Sequence, residues 1–274
     1  MIPAPFEYAR AGSVEEAIAL LGRHGEEAKL LAGGHSLLPL MKLRVAAPPV
    51  LVDIGPVAAL RYLRDAGDHV AIGALTRQRD LETSDLLARE VPLLRHAAGQ
   101  VGDPQVRHRG TIGGSLAHAD PAADLPAVVL ALEATLVARG PAGERTIPAG
   151  EFFRSIFESA LAPDEVLTEV RVPKAAGRRW AFAKFNRRAQ DWAIVGVAAQ
   201  QVDGAANVAL VHMGSTPVRA AEVEAALRQG AGVADAAALA DRGTDPPSDL
   251  NASAGYRRHL ARVLVRRALE QVRG

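Results

Sequence analysis

Apolar and polar positions change their spacing several times along this 274-residue chain, and each change marks an element. Residues 13–24, SVEEAIALLGRH, carry apolar residues at helical intervals, and Ser13 with Glu16 forms the S-x-x-E pattern of a capping box. Gly25 stands where that helix ends. The runs AKLLAGG (28–34) and VLVDI (50–54) read as short buried strands, and residues 60–74 as a hairpin turning near Ala66-Gly67. Helical spacing from about Ser84 to Val101 predicts one long helix that Pro92 starts or bends, and a second helix runs through PAVVLALEA (126–134). TLVARG, ERTIPAG and EVLTEVRVP read as strands, with EFFRSIFESAL (151–161) between the last two.

The pattern changes after PKAAGRR (173–179), a Pro-, Gly- and Arg-rich stretch that predicts a domain boundary. WAFAKFNRR, WAIVGVAAQQV and NVALVHMG predict a three-stranded antiparallel meander, with DGAA (203–206) as one turn. Helices follow at RAAEVEAALRQ (219–229) and from Ser253 onward. Strands followed by helices imply an α+β C-terminal domain.

Composition narrows the chemistry. Hydrophobic residues make up 49% and charged residues 23%, with a formal net charge of +1. That balance gives no reason to expect a nucleic-acid or membrane partner. The Arg-rich stretch YRRHLARVLVRRAL (256–269) keeps helical apolar spacing, which makes its basic side the solvated face of a packed helix. The N-terminus lacks a signal-peptide pattern and no apolar run reaches spanning length, so a cytoplasmic location is expected. Cysteine is absent, which removes thiolate catalysis, disulfides, cysteinyl-flavin bonds and cysteine-held iron–sulfur clusters from this chain.

Two glycine segments then stand out: LLAGGHSLLPLMKLR (30–44) and RGTIGGSLAHADPAADLP (109–126). Each reads as a strand, a Gly-Gly pair and a small hydroxyl residue, followed by a helix. Glycine lets the backbone approach a pyrophosphate and turn successive N–H groups toward it, and a helix N-terminus adds to the field. Ser36, Thr111 and Ser115 can donate hydroxyls to phosphate oxygens. Neither segment matches the dinucleotide or P-loop fingerprints, and for either alone a structural turn is the favoured reading. Asp124 can accept from a ribose or ribityl hydroxyl, or cap a helix beginning at Leu125; spacing favours the cap. Asp120 carries the same ambiguity. His35 and His118 lack the companions of a metal site, and Ser115, His118 and Asp120 lack the setting of a hydrolase triad.

Taken together, the two glycine segments, AFAKFNRRAQDWAIVGVAA (181–199), MGSTPVRA (213–220) and the Arg-rich helix resemble the FAD-binding medium subunit of the molybdenum hydroxylases, of the carbon monoxide dehydrogenase and xanthine dehydrogenase type. The resemblance covers essentially the whole chain. It implies an α+β fold: a two-subdomain FAD-binding module of the vanillyl-alcohol-oxidase type over residues 1–55 and 56–175, then a C-terminal domain over 176–274. It implies noncovalent FAD, with Ala32, Gly33, Gly34, His35, Ser36 and Leu37 facing Thr111, Ile112, Gly113, Gly114 and Ser115 across the pyrophosphate. Ala123 and Asp124 match the segment whose acid binds a ribose hydroxyl, and Leu161, Lys184 and Trp192 match positions beside the flavin. The competing readings are an exposed strand lysine for Lys184 and a core anchor opening a strand for Trp192. His108 stands where the family more often has Asn, which bears on loop packing.

The function implied is electron transfer. A small subunit with two 2Fe–2S clusters would pass electrons from a molybdopterin-binding large subunit to this FAD and on to quinone, NAD or oxygen. The assembly would be a dimer of heterotrimers, and no residue here would be an acid or base for the hydroxylation. Two rivals are a self-contained FAD-dependent oxidoreductase and a non-enzymatic nucleotide-binding or scaffold protein.

Overall fold

The computed structural model describes residues 1–273. The N-terminal unit comprises β1 (Glu7–Arg10), α1 (Val14–His24), β2 (Ala28–Leu31), α2 (Leu37–Lys42) and β3 (Val50–Asp53). The strands form a parallel sheet in the order β1-β3-β2. Ser13 Oγ accepts from Glu16 N at 3.1 Å, and the Glu16 carboxylate reaches back to the Gly12 N–H at 2.7 Å, one residue earlier than in a capping box. Val14, Ala17 and Leu21 form the buried face of α1, and Gly25 ends it at φ 58°.

The middle unit begins with the hairpin β4 (Leu63–Asp65) and β5 (His69–Gly73). Helices α3 (Gln78–Thr83), α4 (Asp85–Glu90) and α5 (Pro92–Gly99) follow. The single long helix expected over 84–101 is therefore two: Pro92 cannot donate to the preceding turn, so the chain breaks at Val91 and restarts with proline as the first helical residue. Next come α6 (Pro104–Arg109), α7 (Ile112–His118), α8 (Asp124–Ala131), β6 (Thr135–Gly140), β7 (Gly143–Pro148), α9 (Ala149–Phe152), β8 (Phe153–Ser155), β9 (Glu158–Ser159) and β10 (Val166–Pro173). Five strands make an antiparallel sheet in the order β4-β5-β10-β6-β7.

The C-terminal unit holds β11 (Trp180–Phe185), β12 (Val195–Val202), β13 (Ala205–Val211), β14 (Val218–Arg219), α10 (Ala221–Arg228), α11 (Val233–Ala237) and α12 (Ala254–Arg273). The expected meander is present, extended by the two-residue β14, and its turn is shorter than expected: Ala205 and Ala206 already pair with β12. Alternation explains the near-continuous apolar sequence of β12 and β13. Val195, Val197, Val208 and Leu210 face the helices of this unit, while Ala198, Ala209 and Val211 join the core of the middle unit. Helix α8 is buried on every side, packed against α5 and against β12 and β13. A helix apolar all round belongs inside, and here it lies between the C-terminal sheet and the helices of the middle unit.

Candidate functional site

The two glycine segments meet at the seam between the N-terminal and middle units. A Cβ on Gly33 would strike the Arg109 carbonyl and lie 3.0 Å from Gly110 Cα, so only glycine lets the first segment lie against the second. A Cβ on Gly114 would lie 3.9 Å from Ala32 Cβ. Gly34 adopts φ +78°, the left-handed turn that carries the chain from β2 into α2. Gly113 packs on Ala74, where a Cβ would come within 2.6 Å of the Ala74 Cβ.

The segments differ in what they offer a ligand. In the first, the N–H groups of Gly33, Gly34, His35, Ser36 and Leu37 have no acceptor among the described residues, and the Ser36 hydroxyl caps nothing there. In the second, no strand precedes the glycines; they lie in the first turn of α7, after α6. Their amides are spent within the protein. Ile112 N–H donates to Thr76 O at 3.1 Å, Gly113 N–H to Ala74 O at 2.9 Å, and Gly114 N–H to Thr111 Oγ1 at 3.1 Å. Among the described residues, what the second segment can still donate are the Thr111 backbone N–H and the hydroxyls of Thr111 and Ser115. The cradle is thus one row of free amides facing hydroxyls, on a backbone fixed by residues 74–78.

That third wall was not anticipated from the sequence. Gln78 donates its backbone N–H to Gly110 O at 2.9 Å and its side-chain amide to Ser115 Oγ at 2.8 Å. The Arg77 guanidinium donates to Arg109 O, the carbonyl that Gly33 abuts. Burial lowers the Arg77 pKa, with the charges of Arg61 and Arg109 adding to the effect, which marks a positive field beside the cradle. The apolar-to-polar switch in ALTRQRD (74–80) was the available signal.

Asp124 occupies the first position of α8, not its cap; Ala123 is the N-cap. The expected capping role is overturned, because the Asp124 carboxylate is turned inward and accepts from Lys184 Nζ at 2.8 Å. Both side chains are about 7% exposed or less, which also overturns the exposed-lysine reading. Lys184 projects from β11 and additionally donates to Gln100 O at 3.0 Å. Desolvation pushes the Asp124 pKa up to about 6, against the opposing pull of Lys184. Asp120 instead closes its own turn, accepting from Ala122 N at 2.9 Å.

The remaining candidates are dispersed. Leu161 packs on the middle core, and His118 stacks on Phe157 with ring centroids 4.9 Å apart. His35 Nδ1 lies 3.2 Å from Gly33 O. Trp192 is 67% exposed in the loop before β12, so it is no core anchor; Ala193 beside it fills that role.

Among the described residues, three buried side-chain polar atoms lack a protein partner: Gln78 Oε1, Asp124 Oδ1 and Arg257 Nε. Two of the three belong to this site. Free amides without Cβ cover, donor hydroxyls and an unmet buried carboxylate oxygen fit a dinucleotide with a pyrophosphate and a sugar-like hydroxyl chain.

The comparisons with known proteins agree with that geometry. Residues 4–175 match the family described as FAD binding domain in molybdopterin dehydrogenase, and residues 180–272 the CO dehydrogenase flavoprotein C-terminal domain. The carbon monoxide dehydrogenase medium chain of Hydrogenophaga pseudoflava is 43% identical, aligned over 98% of this chain and 97% of its own. The 6-hydroxypseudooxynicotine dehydrogenase complex subunit alpha of Paenarthrobacter nicotinovorans is 42% identical over 98% and 95%. Among solved structures, carbon monoxide dehydrogenase from Hydrogenophaga pseudoflava superposes with a TM-score of 0.96 at 45% identity, covering 99% of this chain and 98% of that one.

Proposed function

We propose that this chain, which belongs to the family of FAD-binding medium subunits of molybdopterin dehydrogenases, is the electron-transfer flavoprotein of such a complex. The membership makes it an oxidoreductase subunit with an FAD-binding domain. The observation that carries the residue-level reading is the coincidence of five free amides, at Gly33 to Leu37, with the unmet Asp124 oxygen. Gly33 to Leu37 would hold the pyrophosphate from one side, and the hydroxyls of Thr111 and Ser115 from the other. Asp124 and Lys184 are in contact, and we assign both to the same part of the cofactor. If Lys184 stands beside the flavin with Leu161 and Trp192, Asp124 accepts from a ribityl hydroxyl and not from the adenosine ribose, which lies beyond the pyrophosphate.

When bound, FAD takes electrons one at a time and gives them up in pairs, the property a junction between iron–sulfur clusters and a two-electron acceptor needs. The chain's own part is to hold the dinucleotide without a covalent bond, to keep an ammonium at Lys184, and to keep water from the Asp124–Lys184 pair. We infer partners from the family: a molybdopterin-binding large subunit and a small subunit with 2Fe–2S clusters, as a dimer of heterotrimers in the cytoplasm. The substrate is set elsewhere, since relatives at 43% and 42% identity are named for carbon monoxide and for 6-hydroxypseudooxynicotine.

The first test is the absorbance spectrum of the purified chain, before and after FAD is added, with the nucleotide released by heat and identified. Flavin bands near ~450 nm and intact FAD support the reading. If the chain alone takes up no flavin, the same measurement on the co-expressed complex decides. A flavin-free complex that still hydroxylates substrate and reduces its acceptor sinks the proposal.

A further inference from the structure

We propose that Gln78 is a positioning residue of the phosphate cradle: its side-chain amide fixes the Ser115 hydroxyl so that the hydroxyl proton is presented to a phosphate oxygen. The proposal rests on the FAD reading above and adds a residue to that site. A serine hydroxyl has one proton and two lone pairs. Gln78 Nε2 occupies one lone pair at 2.8 Å, and the proton has no acceptor among the described residues. Ser115 lies in the first turns of α7, where a serine can turn its proton back to the carbonyl four residues earlier; here no such bond forms. Ser115 is half-buried beside Gly114, the residue that faces Ala32 across the cradle. We place that proton on the side where the first segment presents its amides.

Gln78 is built to hold this arrangement. It is 2% exposed, its backbone N–H is tied to Gly110 O at 2.9 Å, and it begins α3 directly after Arg77, which bridges to Thr111. A Cβ on Gly110 would lie 2.5 Å from Gln78 Oε1, so that glycine makes room for the amide. Oε1 itself has no partner. Leaving a buried acceptor unmet is costly, and a brace between two helices could be made from apolar side chains without that cost. The opposite amide orientation would draw the Ser115 proton into the protein and leave two donors against Gly110 Cα. What the observed arrangement secures is the direction of one O–H bond.

The test is a double-mutant cycle with Gln78→Met and Ser115→Ala, in the full chain or in the assembled complex, whichever retains flavin as wild type. Dissociation constants are measured for FAD, for ADP, which keeps the pyrophosphate, and for riboflavin, which has no phosphate. Each single change is expected to weaken FAD and ADP about tenfold and to leave riboflavin unchanged. The double variant should bind no worse than Ser115→Ala, because Gln78 acts only through that hydroxyl. Gln78→Glu, nearly isosteric and able only to accept when ionised, should weaken FAD and ADP at least as much when measured at a temperature well below its own melting temperature. It keeps the test open should the Met variant misfold. Multiplicative single effects, a riboflavin loss equal to the ADP loss, or an FAD affinity within twofold of wild type for Gln78→Glu would overturn the assignment. Wild type that binds no FAD in either form removes the functional reading and this one with it, whereas wild type that binds FAD with a multiplicative cycle removes only the role of Gln78.

Discussion

Replacing Asp124 by Asn should stabilise the flavin-free protein at neutral pH, although it breaks a buried ion pair. Burial raises the Asp124 pKa from the ordinary 3.8 to about 6, even with Lys184 at 2.8 Å pulling the other way. A folded-state pKa above the unfolded value means that the folded protein binds the proton more tightly. The stability this contributes is fully present below pH 3.8, declines as pH rises toward 6, and is gone above it. The rise corresponds to about 3 kcal/mol held against the ionised native state at pH 7.5, falling to about 1 kcal/mol at pH 4.5. Asn has the shape of the protonated acid and escapes the cost. Removing one partner of a buried pair ordinarily costs about 3–5 kcal/mol, because the other charge is stranded. Here Lys184 keeps the Gln100 carbonyl at 3.0 Å and the Asn oxygen as acceptors.

The assay is urea unfolding of wild type and Asp124→Asn at four pH values from 4.5 to 7.5, without FAD. The variant should be more stable by about 3 kcal/mol at the upper end, with the gap closing toward the lower end. Its riboflavin affinity should fall about tenfold while ADP affinity holds, since an ionised acceptor is lost from the ribityl side of the site. A variant destabilised at pH 7.5, or a gap that does not change with pH, would refute the reasoning. The expected pattern is a stability cost kept for the sake of a ligand.

Other consequences can be checked with the same preparations. Gly33→Ala and Gly113→Ala force a Cβ against the Arg109 carbonyl and against Ala74; both should lose bound flavin and about 1–3 kcal/mol of stability, whereas Gly67→Ala, at φ +91° in open space, should cost about 1 kcal/mol and leave the flavin-to-protein ratio unchanged. FAD affinity of wild type should fall as pH drops below about 6, by up to about tenfold per unit, and this dependence should vanish in Asp124→Asn titrated in parallel. Arg77→Met should slow FAD association several-fold at low ionic strength and not at about 0.5 M salt, as stopped-flow mixing would show. Arg257 is wholly buried, bonded to Asp249 at 2.7 Å and to the Ile194 carbonyl; Asp249 is exposed and keeps the Asn251 and Ala252 amides, so Arg257→Leu should cost about 1–3 kcal/mol by urea unfolding, set by the Ile194 carbonyl left unpaired.

The sequence announced this fold wherever local signals sufficed. Ser13 and Gly25 bracket α1, the alternation in β11 to β13 gives the meander, and the first glycine pair forms the turn expected after β2. Signals failed where the deciding partner is distant in sequence. Pro92 was visible, but whether it bends or breaks the helix depends on Val91 entering the core. The glycines of TIGGS read as a loop and are helical, because Thr111 caps them and the carbonyls of Ala74 and Thr76 take their amides. No local rule connects residues 74–78 with 109–115. Asp124 read as a cap for the same reason: its partner, Lys184, is 60 residues away on strand β11.

That pairing also explains why the site's electrostatics come from packing and not from a motif. Helix α8 is apolar on all sides because the C-terminal sheet and helices α5, α7 and α9 close over it, and Asp124 sits at its first turn. The same burial that stabilises Leu125, Val128 and Val129 removes water from the carboxylate and lifts its pKa. Asp124 lies within the stretch matching the FAD-binding family, and Lys184 within the stretch matching the flavoprotein C-terminal domain. Each stretch supplies one charge of a pair that neither could bury alone without a counter-ion. The glycine segments set where a pyrophosphate can lie, and the closure of the C-terminal sheet on α8 sets the charge presented to whatever lies beyond it.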